Sequence, residues 1–267
     1  MTAAVRAEFR KFFTTRMWWG LAIAIFVAGA GLAVAFGFVY TIKPDPSDPN
    51  PAPTGTPLQI ANSVYTAGLG IGYLLTLTIG VMQIGSEYRH KTITSTFLGT
   101  PKRAEVMGAK IIALLGIGAI YGVISLAGSV LAGSIVLNAR GYSPFPDVGV
   151  LRTLALALLV LGLWSLIGLG AGILIPNQVA ALLISIGVAW IVEPLAGFGL
   201  TFWTWGREHI VPYLPSQATD AMVSGVTQGG GRAVHQLAWW GGALVLAAYA
   251  AAMAGFGSWR TVRADIS

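Results

Sequence analysis

Residues 85–103, GSEYRHKTITSTFLGTPKR, hold a dense group of charged and hydrogen-bonding side chains. The candidates for contact with another molecule are Glu87, Tyr88, Arg89, His90, Lys91, Thr92 and Arg103. Long apolar stretches lie on both sides, so this wet segment connects two hydrophobic elements. We interpret it as a contact surface for another protein, because local signals predict a short rigid helix rather than a flexible tether.

These helix signals begin at Ser86, whose hydroxyl can cap a helix. Glu87 would then lie in the first turn, where the helix dipole favours an acid. Glu87 and Lys91 are four residues apart, in the order that favours an ion pair on a helix. We predict that this helix ends at Gly99. The next helix would then be capped by Thr100 and begin at Pro101.

A second candidate is Glu193, the one acid well inside a long apolar run, which is followed directly by Pro194. Ionisable groups are costly inside a bilayer, so such a residue suggests a substrate path or a gate. The alternative is a structural acid that caps a helix or pairs near the interface with Arg207, and we favour it. Three mid-span aromatic residues could line the same path, although helix packing explains them more simply: Trp164, Tyr121 and Trp190.

Catalytic chemistry finds no support in the sequence. The Gly-x-Ser-x-Gly elbow, the HExxH helix and the Walker A phosphate loop are all missing. The three His, at positions 90, 209 and 235, have no metal-site spacing, and the absence of Cys excludes disulfides and thiolate ligands. We therefore predict no catalytic residue and no metal site, so any transport would draw its energy from a partner or an ion gradient.

The composition is that of a membrane protein, with 55% hydrophobic and 10% charged residues. Soluble domains have about 25% charged residues. Apolar runs, compared with the roughly 20 residues that cross a bilayer, predict one all-α polytopic domain over residues 1–267. The six predicted spans are about 17–41, 62–85, 107–137, 152–175, 178–200 and 237–257.

The basic residues predict the orientation of these spans. Eleven of the 16 Lys and Arg residues fall on the side that holds both termini. The positive-inside rule then places the termini and residues 85–103 in the cytoplasm of a multi-pass protein of the cell (inner) membrane. Because the net charge of +6 is distributed in this way, we predict contact with the lipid bilayer and not with nucleic acid.

Three polar segments complete the prediction. In residues 1–16, one face of a basic helix carries the apolar residues Val5, Phe9, Phe12 and Phe13, which is typical of a helix in the membrane surface. The alternative is a simple basic flank that orients the first span. Proline-rich residues 43–57 predict an extended outer loop. The outer segment 201–236 is long and broken, and it could hold short helices that dip back into the membrane.

Together these features resemble the ABC-2 type permeases of ATP-binding cassette exporters, over essentially the whole chain. The inner-loop residues that carry the resemblance are Glu87, Tyr88, Arg89, Thr92, Pro101, Arg103 and Lys110. Family members often have Gly before the Thr, where this chain has Lys91. Residues 213–216, YLPS, with Ala218 soon after, also look like the outer segment of the family.

The resemblance implies a coupling helix between spans two and three that docks in a groove of a separate ATPase subunit. The seven residues of 85–103 named at the outset would make that contact. Two permeases, either a homodimer or a pair of related chains, and two ATPases would form the working unit. The ATPase would bind ATP and Mg, this chain would bind no cofactor, and an amphiphilic or lipid-like substrate would move outward.

Two other functions fit the same residues. The first is a membrane sensor or scaffold without transport, whose inner loop binds a signalling protein. The second is an ion-coupled carrier that uses Glu193, although no second span shows a partner for that acid.

Overall fold

The computed structural model describes residues 1–42, 55–92, 102–223, 225 and 236–263, which are helical and contain no strand. Its elements, numbered in chain order, are α1 Thr2–Phe13, α2 Met17–Tyr40, α3 Pro57–Thr66, α4 Leu69–Arg89, α5 Arg103–Ala139, α6 Gly149–Leu174, α7 Gln178–Gly187, a π-helical turn Val188–Val192, α8 Glu193–Leu200, α9 Thr204–His209, a 3₁₀ turn Val211–Tyr213, α10 Pro215–Val223 and α11 Trp239–Arg263.

Six helical segments of the described chain are long and apolar enough to cross a membrane. They are Met17–Tyr40, Pro57–Arg89, Arg103–Ala139, Gly149–Leu174, Gln178–Leu200 and Trp239–Trp259. The predicted all-α polytopic fold with six spans is therefore confirmed. The helix predicted in residues 1–16 forms as α1, whereas its position in the membrane surface stays a prediction.

The second span begins earlier than predicted. Thr56 caps α3 by accepting a hydrogen bond from the backbone N–H of Gln59 at 3.3 Å, and the Gln59 side chain accepts from the Thr56 N–H at 2.9 Å. Pro57 follows as the first helical residue, a position at which its missing N–H costs nothing. The extended loop predicted to reach residue 57 therefore ends before Pro57, and residues 43–54 lie outside the described residues.

The packing is centred on α6, in which 72% of the residues of the apolar stretch are buried, compared with 22% for α2 and 17% for the span that begins at Gln178. Close glycine contacts set the helix directions. Gly118 of α5 packs on Gly162 of α6, and Gly122 packs on Leu158 earlier in α6, so these helices are antiparallel. Helix α6 therefore forms the core against which α4, α5 and α11 pack.

A three-residue turn follows the fourth span, and a broken segment follows the fifth. Asn177 caps α7 by accepting hydrogen bonds from the N–H groups of Val179 and Ala180, so α6 and α7 are joined by a three-residue turn. The described part of the outer segment contains two short helices, α9 and α10, with a 3₁₀ turn between them. Helix α5 has 37 residues and is about 55 Å long, so it exceeds the roughly 30 Å hydrocarbon core unless it tilts.

Close helix contacts make glycine essential at selected positions. A Cβ added at Gly168 would overlap the backbone oxygen of Leu77 in α4, whereas one at Gly187 would meet nothing within 4 Å. We expect Gly168→Ala to lower the free energy of unfolding by about 1–3 kcal/mol through overpacking. Gly187→Ala should leave it unchanged or slightly higher. Thermal unfolding of both variants in detergent tests this, and equal losses would contradict the close approach of α4 and α6.

Candidate functional site

A buried cation lies where α1, α4 and α5 meet. Lys110 of α5 is 0% exposed. Its ammonium group donates hydrogen bonds to Glu8 Oε2 of α1 at 2.9 Å and to Glu87 Oε1 of α4 at 2.6 Å. Both carboxylates are also buried. Lys110 therefore joins α5 to α4, the helix before it, and to α1, which lies about 100 residues earlier in the sequence.

Lys11 closes this arrangement into a ring. Its ammonium group donates to Glu8 Oε1 and to Glu87 Oε1, both at 2.8 Å, while the rest of the Lys11 side chain reaches the surface. Gln83 Nε2 adds a weaker contact to Glu8 Oε2 at 3.3 Å. We call Glu8, Lys11, Glu87 and Lys110 the charge cluster. Its two acids and two bases cancel, which makes burial tolerable because an unpaired ion would cost several kcal/mol.

The pKa shifts of Glu8 and Lys11 favour the charged forms of these two α1 residues. Burial alone would raise the pKa of Glu8, but Lys110 and Lys11 outweigh it and hold the pKa below the usual value of 4.5. Burial alone would lower the pKa of Lys11, but hydrogen bonds to Glu8 and Glu87 raise the pKa above 10.5. Both residues are therefore charged in the folded protein at neutral pH.

Apolar contacts bring α1 into place. Phe12 lies one helical turn after Glu8, on the same face, and is 2% exposed. Its ring meets Tyr121 of α5 edge-on, with 5.9 Å between the ring centroids. Phe9 covers Gly116 of the same helix. The apolar face of α1 therefore packs along α5, and this packing places Glu8 beside Lys110.

The end of α4 differs from the prediction. Helix α4 continues to Arg89, so Ser86 and Glu87 lie within its last turns rather than at the start of a new helix. The hydroxyl of Ser86 donates to the carbonyl of Gln83 and caps nothing. The reason is that no proline interrupts α4 before Arg89, and the contacts of Glu87 with Lys11 and Lys110 hold its last turns in place. The predicted end at Gly99 and the predicted cap at Thr100 and Pro101 lie outside the described residues, while α5 begins at Arg103.

The predicted ion pair between Glu87 and Lys91 is also wrong. Glu87 turns inward to Lys11 and Lys110. Lys91 lies beyond the helix end with a φ of 53°, in the left-handed region, so it no longer shares a helical face with Glu87. The Glu87 carboxylate therefore takes part in helix packing rather than in a surface ion pair, and Lys91 is exposed.

The other predicted contact residues separate into two groups. The hydroxyl of Tyr88 lies 3.1 Å from Thr261 Oγ1, which ties the end of α4 to the end of α11. Thr92 Oγ1 donates to the carbonyl of Glu87 at 3.5 Å. Four neighbouring residues are exposed, namely Arg89, His90, Lys91 and Thr92, whereas Arg103 is half-buried. The surface that another protein could touch thus lies directly beside the charge cluster.

Glu193 lies at a distortion of the fifth span. Pro194 has no N–H to donate, and the preceding turn is π-helical, with the Glu193 N–H bonded to the carbonyl of Val188. Glu193 is 8% exposed, and its Oε1 accepts a hydrogen bond from the Ser216 N–H at 2.6 Å, at the start of α10. This is a capping contact. Arg207 instead faces Glu208 at 3.9 Å, so the suggested Arg207 pair is wrong.

The three aromatic residues suggested for a substrate path are not brought together. Trp164 is 2% exposed, stacks on Tyr73 with 4.3 Å between centroids, and donates to Thr219 Oγ1 at 3.0 Å. Tyr121 donates to the carbonyl of Trp18 at 2.6 Å. Trp190 is 65% exposed. A role for Glu193 or these residues in a path stays a prediction.

Comparison with known families supplies the family. The sequence model described as "ABC-2 family transporter protein" matches residues 4–195, which include the whole charge cluster and Glu193. The chain belongs to the ABC-2 transporter family. It is therefore a membrane permease of an ABC transporter, and such permeases are typically non-catalytic. No curated protein matches this sequence.

The sequence did not identify two of the four residues of the charge cluster, Glu8 and Lys11, as part of a functional site. Lys110 entered only through the resemblance, and Glu8 and Lys11 were not assigned a function. The available signal was Glu8 itself, an acid placed between Val5, Phe9 and Phe12 on the apolar face of a basic helix. Within the described residues, no group of three or more His, Cys, Asp or Glu could hold a metal ion.

We predict that Lys110→Met will lower the free energy of unfolding of the permease by about 3–5 kcal/mol, because it leaves two buried carboxylates with a single ammonium group, that of Lys11. Adding Glu8→Gln should recover part of this loss, since one of those charges is then removed. A double-mutant cycle by denaturant unfolding in detergent measures the coupling. Lys102→Met, at an exposed cation beside the start of α5, is the control. A loss no larger than that of the control would contradict the cluster.

The left-handed backbone at Lys91 gives a second prediction. Lys91→Gly should raise the free energy of unfolding by about 1 kcal/mol, because glycine adopts this conformation without a steric penalty. Arg89→Gly, two residues earlier within α4, should lower it by a similar amount. Equilibrium unfolding of the two variants gives the comparison. A loss in both would show that Lys91 is not left-handed in the membrane.

Proposed function

We propose that this permease is the membrane-spanning part of an exporter driven by a separate ATP-binding cassette ATPase. The proposal assigns ATP and Mg to the partner and transmission of movement to this chain. A second permease copy, identical or related, would complete the transport path. The excess of Lys and Arg on the side with both termini supports a cytoplasmic location for that side in the cell membrane.

The observation that carries this proposal is the junction at the end of α4. Glu87 connects α4 to α1 and α5 through the charge cluster, and Tyr88 connects it to α11 through Thr261. The next residues, Arg89, His90 and Lys91, are exposed. A force applied there by an ATPase would therefore move several helices together, which is the mechanical requirement for coupling hydrolysis to transport.

The substrate proposal rests on the character of the spans. The described spans are lined by apolar side chains, and the acid deepest within one of them, Glu193, is engaged by the Ser216 N–H. Such walls suit an amphiphilic or lipid-like molecule better than a small ion. The engaged carboxylate also disfavours the alternative of an ion-coupled carrier that uses Glu193.

The decisive experiment begins with gentle purification of the tagged permease from its native membrane. We expect an ATP-binding cassette subunit to purify with it in stoichiometric amount. Absence of such a subunit, with the permease intact, would contradict the proposal and favour the sensor or scaffold function.

The double variant Arg89→Ala/Lys91→Ala then tests the contact. It should reduce substrate-stimulated ATP hydrolysis several-fold while leaving insertion intact, because both side chains are exposed and neither belongs to the charge cluster. Glu87→Ala is less informative, since it also breaks the cluster. Arg207→Ala, at a cation of the opposite side, is the matched control. Normal stimulation in the double variant would remove the coupling role of these residues.

A further inference from the structure

All described acids on the side of α1 are neutralised within the chain. Glu8 and Glu87 are buried in the charge cluster. Glu105, at the start of α5, pairs with the N-terminal amine of Met1. No carboxylate among these three is therefore left to offset the charge of the exposed basic residues.

The basic residues on the same side are arranged in the opposite way. Six cations are exposed and make no ion pair with any described residue, namely Arg6, Arg10, Arg16, Arg89, Lys91 and Lys102. This side of the protein therefore presents uncompensated positive charge. The excess positive charge is therefore carried by exposed side chains and not by the buried charge cluster.

Three of these cations lie at a level that suits a lipid headgroup. Arg6 and Arg10 are one turn apart on α1, on the face opposite to Glu8 and Phe12. Arg16 lies two residues before Trp18 and three before Trp19, which are 37% and 52% exposed. Tryptophan favours the boundary between headgroups and acyl chains, so these Arg side chains reach the headgroup layer.

The neighbouring surface is apolar, as expected of a protein face in contact with acyl chains. Ile112 of α5 lies two residues after Lys110, on the opposite side of the helix, and is 47% exposed. Ile23 and Phe26 of α2 are 56% and 39% exposed. An apolar surface next to unpaired Arg side chains suits a phospholipid, which combines apolar acyl chains with a phosphate-bearing headgroup.

We infer that the exposed face of α1, formed by Arg6 and Arg10, together with Arg16 just beyond the helix, binds the phosphate-bearing headgroups of anionic phospholipids. A guanidinium group binds phosphate through two parallel hydrogen bonds, in addition to the charge attraction. Each basic residue near an anionic membrane surface strengthens the attraction to it, and by the usual contribution per residue the removal of two should weaken the selectivity for anionic lipid by about thirtyfold.

The test uses the full-length permease without any ATPase, so its outcome is independent of the proposed coupling. Protein reconstituted in equimolar phosphatidylglycerol and phosphatidylcholine is extracted, and the retained lipids are counted by native mass spectrometry. The wild type should retain phosphatidylglycerol preferentially, and high salt should weaken this preference. Arg6→Gln/Arg10→Gln should lose it, while Arg207→Gln on the opposite side should keep it.

Arg6→Lys/Arg10→Lys keeps the charge and should retain most of the preference, which separates lost charge from a disturbed helix. Equal retention of both lipids by the wild type would overturn the inference, as would an unchanged preference in the Gln variant. If the Gln variant instead lost affinity for an added ATPase subunit while its lipid preference was unchanged, the face would serve a protein partner, and the inference would be overturned.

Discussion

The fold at one end of the molecule depends on the burial of a single cation, Lys110. An ammonium group that no solvent reaches must be paired, because the desolvation of an isolated ion costs several kcal/mol. One partner comes from α4, and the other comes from α1, a helix too short to be stable alone in water. Three features therefore depend on one another: the docking of α1, the burial of Lys110 and the position of the end of α4.

The opposite end of α5 is fixed by a different chemistry. Arg140, just after α5, donates from Nε to Thr41 Oγ1 at 3.0 Å and from its guanidinium to the Thr41 carbonyl at 3.2 Å, so it satisfies the end of α2. Helix α5 is thus tied to α1 and α4 at one end and to α2 at the other. A helix held in this way transmits displacement along its length, which suits the proposed transfer of movement from an ATPase to the spans.

The sequence predicted those features that depend on apolar length and local chemistry. Six runs of suitable length gave the six spans, and Pro194 marked a distortion near Glu193. The errors arose where tertiary contacts override local signals. Ser86 and Lys91 have residue types that favour the start of a new helix. The last turns of α4 are instead held by the contacts of Glu87 with Lys11 and Lys110, both of which are distant from it in the sequence. Charge pairing across helices leaves no short-range pattern to read.

The same arrangement accounts for the separation of charge in this permease. Acids that would otherwise oppose a basic surface are used internally, where Glu8 and Glu87 bury Lys110. The exposed Arg residues then remain available for anionic groups outside the chain. Replacing Glu8 with an uncharged residue would therefore affect the interior far more than the surface, because Lys110 would lose a partner, whereas Arg6 and Arg10 have no ion-pair partner among the described residues to lose. The pairing of Glu8 and Glu87 with Lys110 thus stabilises the fold, and it also leaves the exposed Arg side chains without a neighbouring carboxylate.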